Sequence, residues 1–138
     1  MCTSESSDKM KSQLKKLTSR SNGMSYENRI TALKLYIRGW VFYFKLADMK
    51  KLLQRTDEWL RRRIRMCICK SWKLVKARFT NLIRCGIDKR KAWMWANTRK
   101  GYWRTANSRI LHRSINNDNL HKARYVFLSD VYAKLYRN

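Results

Sequence analysis

The amino-acid sequence predicts an all-α protein: a three-helix bundle followed by a smaller helical basic region. Three observations carry this. Apolar residues recur at helical spacing over most of the chain. No residue is proline, and no stretch alternates polar and apolar for long, so strands have little to form from. Asn, Asp, Ser and Gly fall between the periodic stretches, where helices start and stop.

The elements follow in order. Met1 to Ser7 are polar and small. A first helix starts at Ser7 or Asp8 and carries Leu14 and Leu17. Its apolar content is thin, so it must pack on something else to persist. Asn22-Gly23 marks a turn. Ser25 caps a second helix, with Glu27 in its first turn and the stripe Ile30, Leu33, Ile37, Trp40, Val41 and Phe44. Gly39 inside that helix costs about 1 kcal/mol relative to alanine. It is expected to mark a close helix–helix approach. Asp48 caps a third helix, whose apolar positions are Met49, Leu52, Leu53, Leu60, Ile64, Cys67, Ile68 and Trp72. Trp40, Phe44, Trp59 and Trp72 are expected in the core.

The pattern continues through Val75, Phe79, Leu82 and Ile83 to Gly86, a C-terminal cap. Asp88 caps a helix carrying Ala92, Trp95 and Ala96. Asn116 to Asp118 start another, and Tyr125 to Phe127 read as a short extended piece. Ser129 and Asp130 cap a last turn or two ending at Leu135.

Charge bounds the function. The chain has 138 residues and a net charge of +24, yet 44% of it is hydrophobic, so it is not a disordered basic tail. Such charge opposes compactness, and a polyanion would relieve it. An aromatic content of 12% with six Trp favours nucleic acid, because bases stack on aromatic rings. The four Cys form no Cys-x-x-Cys pair, and the two His lie far from them in sequence. No metal site or cofactor is expected from that pattern. The longest apolar run, Trp40 to Phe44, is far too short to span a membrane.

The third helix holds the densest basic cluster, Arg61, Arg62, Arg63 and Arg65. Lys70, Lys73, Lys76 and Arg78 follow it. If the helix is unbroken through Lys76, Arg62, Arg65, Lys73 and Lys76 share a sector of about 80°. That would be a rail beside the apolar stripe, and arginine's planar fork suits phosphate oxygens. Arg38 and Tyr43 lie off the seam of the second helix. Arg99, Lys100, Tyr102, Trp103 and Arg104 surround Gly101 and mix cations with aromatic rings. No arrangement of Ser, His, Cys or Asp suggests a nucleophile or acid–base pair, so no catalytic residue is expected.

The stretch RGWVFYFKLADMKKLLQRTDEWLRRRIRMCICKSWK, from Arg38 to Lys73, resembles the maturase-specific domain (domain X, or thumb) of group II intron reverse transcriptases. LTSRSNGMSYENRI resembles the start of that thumb. GIDKRKAWMWANTRKGYWRTANSRIL and SDVYAKLYRN resemble the DNA-binding region that follows it. The resemblance implies a thumb-like bundle over 1–70 and a basic DNA- and RNA-binding region over 71–138. It implies binding of group II intron RNA to assist folding and splicing, and contact with a duplex DNA target. A separate reverse transcriptase palm is a further partner it allows. A small-molecule substrate and a membrane are not expected partners. A bacterial, cytoplasmic setting, associated with ribonucleoprotein or nucleoid, is implied.

Some family features are missing. No Asp-Asp pair occurs, so the palm's Tyr-x-Asp-Asp box is absent from this chain. Two-metal nucleotidyl transfer needs clustered carboxylates, and no enzyme activity of its own is expected. Cys69 stands where relatives usually show Trp, and Arg109 where Pro is usual. Two rivals remain. The chain could be the C-terminal part of an active reverse transcriptase, or a cationic amphipathic protein of anionic membranes.

Overall fold

The computed structural model describes residues 4–19, 23–44, 50–97 and 101–137, and among these the chain is all-α. Helices α1 (Ser4–Leu17), α2 (Tyr26–Phe44) and α3 (Lys50–Ser71) are the long ones. They are followed by α4 (Val75–Arg84), α5 (Lys89–Ala96), α6 (Tyr102–Thr105), α7 (Arg109–Ser114), α8 (Asn117–Lys122) and α9 (Leu128–Arg137). The chain forms two compact units. Unit 1 is Met1–Arg61 with Arg124–Asn138, and unit 2 is Arg62–Ala123. The division falls inside α3. The expected division, at residue 70, separates a helical bundle from a helical basic region.

In unit 1, α1 and α9 each pack on α2. The stripe of α2 buries Ile30, Leu33, Ile37 and Val41. Met10 and Leu14 of α1 and Leu53 and Leu60 of α3 are fully buried, as are Phe127 and Leu128 at the start of α9. The thin first helix thus persists through four-residue spacing of Met10 and Leu14, extended by Thr18, whose hydroxyl donates to the Leu14 carbonyl at 2.7 Å. Ser25 caps α2 as expected: its Oγ accepts from the Asn28 amide at 3.2 Å. Asp48 lies outside the described residues.

The N-terminus of α9 is capped from a distance. The Asp57 carboxylate of α3 accepts from the Leu128 amide at 2.8 Å and the Ser129 amide at 2.9 Å. Ser129 and Asp130, the expected local caps, are instead inside the helix. A buried carboxylate satisfies two of the orphan amides at once and meets the positive end of the helix dipole. Burial pushes the Asp57 carboxyl above the ordinary carboxylate range, against the pull of the two amides and of Arg61.

Gly39 is exposed, and a Cβ added there would meet nothing within 4 Å, so the expected close helix–helix approach is not made among the described residues. Trp40, Phe44, Trp59 and Trp72 are half-buried rather than core. Trp40 and Phe44 stack on each other with centroids 4.6 Å apart, and Trp59 carries the Lys11 ammonium 5.1 Å from its ring centroid. A large ring at the edge of a stripe is covered on one side only.

In unit 2, α4 and α5 pack on each other as a helical hairpin joined through Gly86. The Ile87 amide donates to the Leu82 carbonyl and the Gly86 amide to that of Ile83, each at 3.0 Å. This is the Schellman closure, and Gly86 supplies its left-handed residue at φ 86°. Asp88 stands at the N-cap of α5, but its side chain makes no capping hydrogen bond. Asn116 does cap α8, accepting from the Asn119 amide at 2.8 Å. Tyr125 to Phe127 are irregular.

Candidate nucleic-acid interface

Helix α3 ends at Ser71, and α4 begins at Val75. The break separates the basic positions into two groups, so the single rail through Lys76 is not formed. The intervening Trp72 carbonyl, left without a helical partner, accepts from Arg78 Nε at 3.1 Å. Arg78 also reaches the last carbonyl of α5, at Ala96, at 3.4 Å.

The arginines of α3 are drawn to backbone as well. Arg65 is only 4% exposed, and its Nε donates to the Ile115 carbonyl at the C-cap of α7, at 2.8 Å. Arg62 donates from Nε and a terminal nitrogen to the Trp103 carbonyl at 3.1 and 2.9 Å. Its guanidinium lies 3.8 Å from the Trp103 ring centroid, with Arg63 at 5.8 Å. In unit 1 Arg61 sits 4.9 Å from the Phe127 ring centroid, its Nε buried and without a hydrogen bond. Arg29, which sequence reasoning missed, donates to the carbonyl of Leu17, the last residue of α1, at 3.2 Å and to that of Ser19 just beyond it at 3.4 Å. The common cause is the orphan carbonyls at helix C-termini, which carry partial negative charge. In a chain with 33 Lys and Arg against nine Asp and Glu, these carbonyls are the plentiful acceptors. A pattern of positive residues alone cannot separate such anchors from solvent-facing cations.

The remaining expected residues divide by exposure. Arg38 on α2, Lys73, Lys76 on α4 and Arg104 on α6 are exposed, and Lys70 is half-buried. Trp103 is 37% exposed. Arg99, Lys100 and the Tyr102 side chain lie outside the described residues. His112 hydrogen-bonds Asn107 at 3.1 Å. Burial and the positive charge of Arg65 and Arg62 push its imidazole below the ordinary value, which marks a positive local potential. Among the described residues no three His, Cys, Asp or Glu side chains gather to hold a metal ion. None of the described helices is long and apolar enough to cross a membrane.

Comparison with known proteins adds one finding. The model of the group II intron maturase-specific domain matches residues 7–86, more than half of the chain. A search of curated proteins gave no match. The matched segment covers α1 to α4, including the α3 cluster and the break that follows it. The chain therefore belongs to the group II intron maturase-specific domain family.

Proposed function

We propose that this chain binds group II intron RNA and assists its folding and splicing, and that residues 71–138 contact a duplex DNA target. It does so as a binding module, without polymerase activity of its own. A separate reverse transcriptase palm is its proposed protein partner. One observation carries the reading. Lys73 and Lys76, inside the family-matched segment, are exposed and make no hydrogen bond or ion pair among the described residues. Lys73 lies in the α3–α4 break and Lys76 in the first turn of α4, where neighbouring Arg78 is engaged by carbonyls. Arg38 and Arg104 present further exposed cations, and the Arg62–Trp103 stack presents a cationic, aromatic surface at α6.

The test is a salt series. Neutralising about six phosphates should make log K fall with log salt at a slope near −5 on duplex, from roughly 0.9 per contact. A gel-shift titration with structured intron RNA and with duplex DNA measures it, and a slope near zero removes the reading. Primer extension on an RNA template should give no incorporation with any divalent metal. Incorporation by a preparation free of other polymerases would show that the chain is more than a binding module.

A further inference from the structure

Outside the α3 cluster, the α4–α5 hairpin encloses an open cleft of about 640 Å³ lined by Phe79, Asp88, Lys89, Arg90 and Trp93. We propose that this cleft holds a single unpaired nucleotide, its base stacked on Trp93 and its phosphate held by Lys89 and Arg90. The inference rests on the nucleic-acid reading above but concerns a different site and a different feature of the strand.

Trp93 is 56% exposed, an unusual state for so large an apolar ring. It is nonetheless fixed: Phe79 meets it edge-on, with centroids 5.6 Å apart and planes at 84°. An edge-to-face partner immobilises an indole while leaving a face available. A flat aromatic face in a positive groove is what a base requires. Lys89 and Arg90 are exposed in the first turn of α5, where the helix dipole adds to their charge. Neither makes a hydrogen bond or ion pair among the described residues, so both can meet a phosphodiester. This charge complementarity selects nucleic acid over an apolar peptide as the occupant.

Asp88 is the decisive detail. A carboxylate repels phosphate, so its presence needs a reason. It stands at the N-cap of α5, makes no capping hydrogen bond, and is one of the residues that line the cleft. A carboxylate there can accept from the N–H groups on a base's Watson–Crick edge. Those groups are available only when the base is unpaired. Guanine offers two adjacent donors to one carboxylate. Adenine and cytosine offer one amine, and uracil sets its single N–H between two repelling carbonyls. The cleft should thus rank guanine first and uracil last.

The experiment uses the full chain and two fluorescently labelled RNAs: a blunt duplex, and the same duplex with one bulged guanosine. Wild type should bind the bulged RNA about tenfold more tightly, the scale of one base stacked on an aromatic ring. Trp93→Ala should bring the ratio near one, Trp93→Phe should keep most of it, and circular dichroism checks the fold. Asp88→Asn, an exposed change with no hydrogen bond to lose, should flatten the ranking across bulged G, A, C and U. Equal binding of both RNAs by wild type, or a ratio retained in Trp93→Ala, overturns the cleft while duplex binding keeps the broader reading. Failure to bind either RNA overturns both. A concentration-dependent dimer in sedimentation that Trp93→Ala abolishes would assign the cleft to a second copy, and would overturn it too.

Discussion

The two units hold helices together by different means. Unit 1 uses long amphipathic helices whose stripes meet: Met10, Leu14, Leu33, Ile37, Leu53, Leu60 and Phe127 are all buried almost completely. Unit 2 is cut into shorter helices, four of them of eight residues or fewer. Short helices have more ends per residue, and each end leaves carbonyls or amides without partners. Arg62, Arg65 and Arg78 answer this by donating to carbonyls at Trp103, Ile115, Trp72 and Ala96. The difference teaches how to read a strongly basic chain. Some of the positive charge that suggests a polyanionic partner is structural, and it is concentrated where the helices are short.

The largest expected effect tests unit 1. Phe127 is fully buried beneath Arg61, so Phe127→Ala should lower stability by about 3–5 kcal/mol, the usual range for deleting a buried aromatic ring. Denaturant unfolding measures it. A loss below about 1 kcal/mol would mean that apolar packing does not hold α9 in this unit. Unit 2 should respond next. Arg65→Ala leaves the Ile115 carbonyl without its donor, and an unsatisfied buried group costs about 1–3 kcal/mol. Arg65→Ala should bind RNA nearly as well as wild type once folded. If it is thermally silent and binds poorly, Arg65 belongs to the interface and the contrast between the units fails.

Much of this fold was legible because its causes are local. The α2 stripe is a matter of spacing, and Ser25, Asn116 and Gly86 act within five residues of themselves. What escaped was set by distant partners. Asp57 reads as an acid beside a basic run, yet its carboxylate caps a helix that begins 71 residues later. Asp88 has the residue type and position of a cap and does not bond as one. Gly39 suggests contact, yet among the described residues nothing lies within 4 Å of a Cβ built there. The candidate site was legible as a region, through the run from Arg61 to Arg78. Which guanidinium groups point at carbonyls depends on where α5, α6 and α7 end, and spacing within α3 carries no such information.

Asp57 gives a smaller effect, one of pH. Its folded-state carboxyl lies above the unfolded value of about 3.9 because burial outweighs the amides of Leu128 and Ser129 and the charge of Arg61. The folded state therefore holds the proton more tightly than the unfolded one. This contribution to stability is complete below the unfolded pKa and is lost as pH rises through the folded pKa. Asp57→Asn should remove that decline, so the gap between wild type and variant should shift against wild type over the same window. Urea unfolding at stepped pH reads it. A gap that moves in wild type's favour as pH rises would show that the amides and Arg61 win over burial.

The smallest effect on stability should come from Lys73 and Lys76, and there the comparison between anchored and free cations becomes sharpest. Both are exposed and neither meets a partner among the described residues. Replacing both by alanine should move stability by no more than about 0.5 kcal/mol, as for surface changes away from specific contacts. If each neutralises one phosphate, the double variant should bind duplex more weakly and lower the salt slope by about 1.8, from roughly 0.9 per contact. Arg65→Ala should do the reverse, losing stability with an unchanged slope. The two variants together separate charge that holds the fold from charge that meets the ligand. A slope unchanged by Lys73→Ala with Lys76→Ala would place the contact elsewhere among the exposed cations, with Arg38 and Arg104 next to test by the same titration.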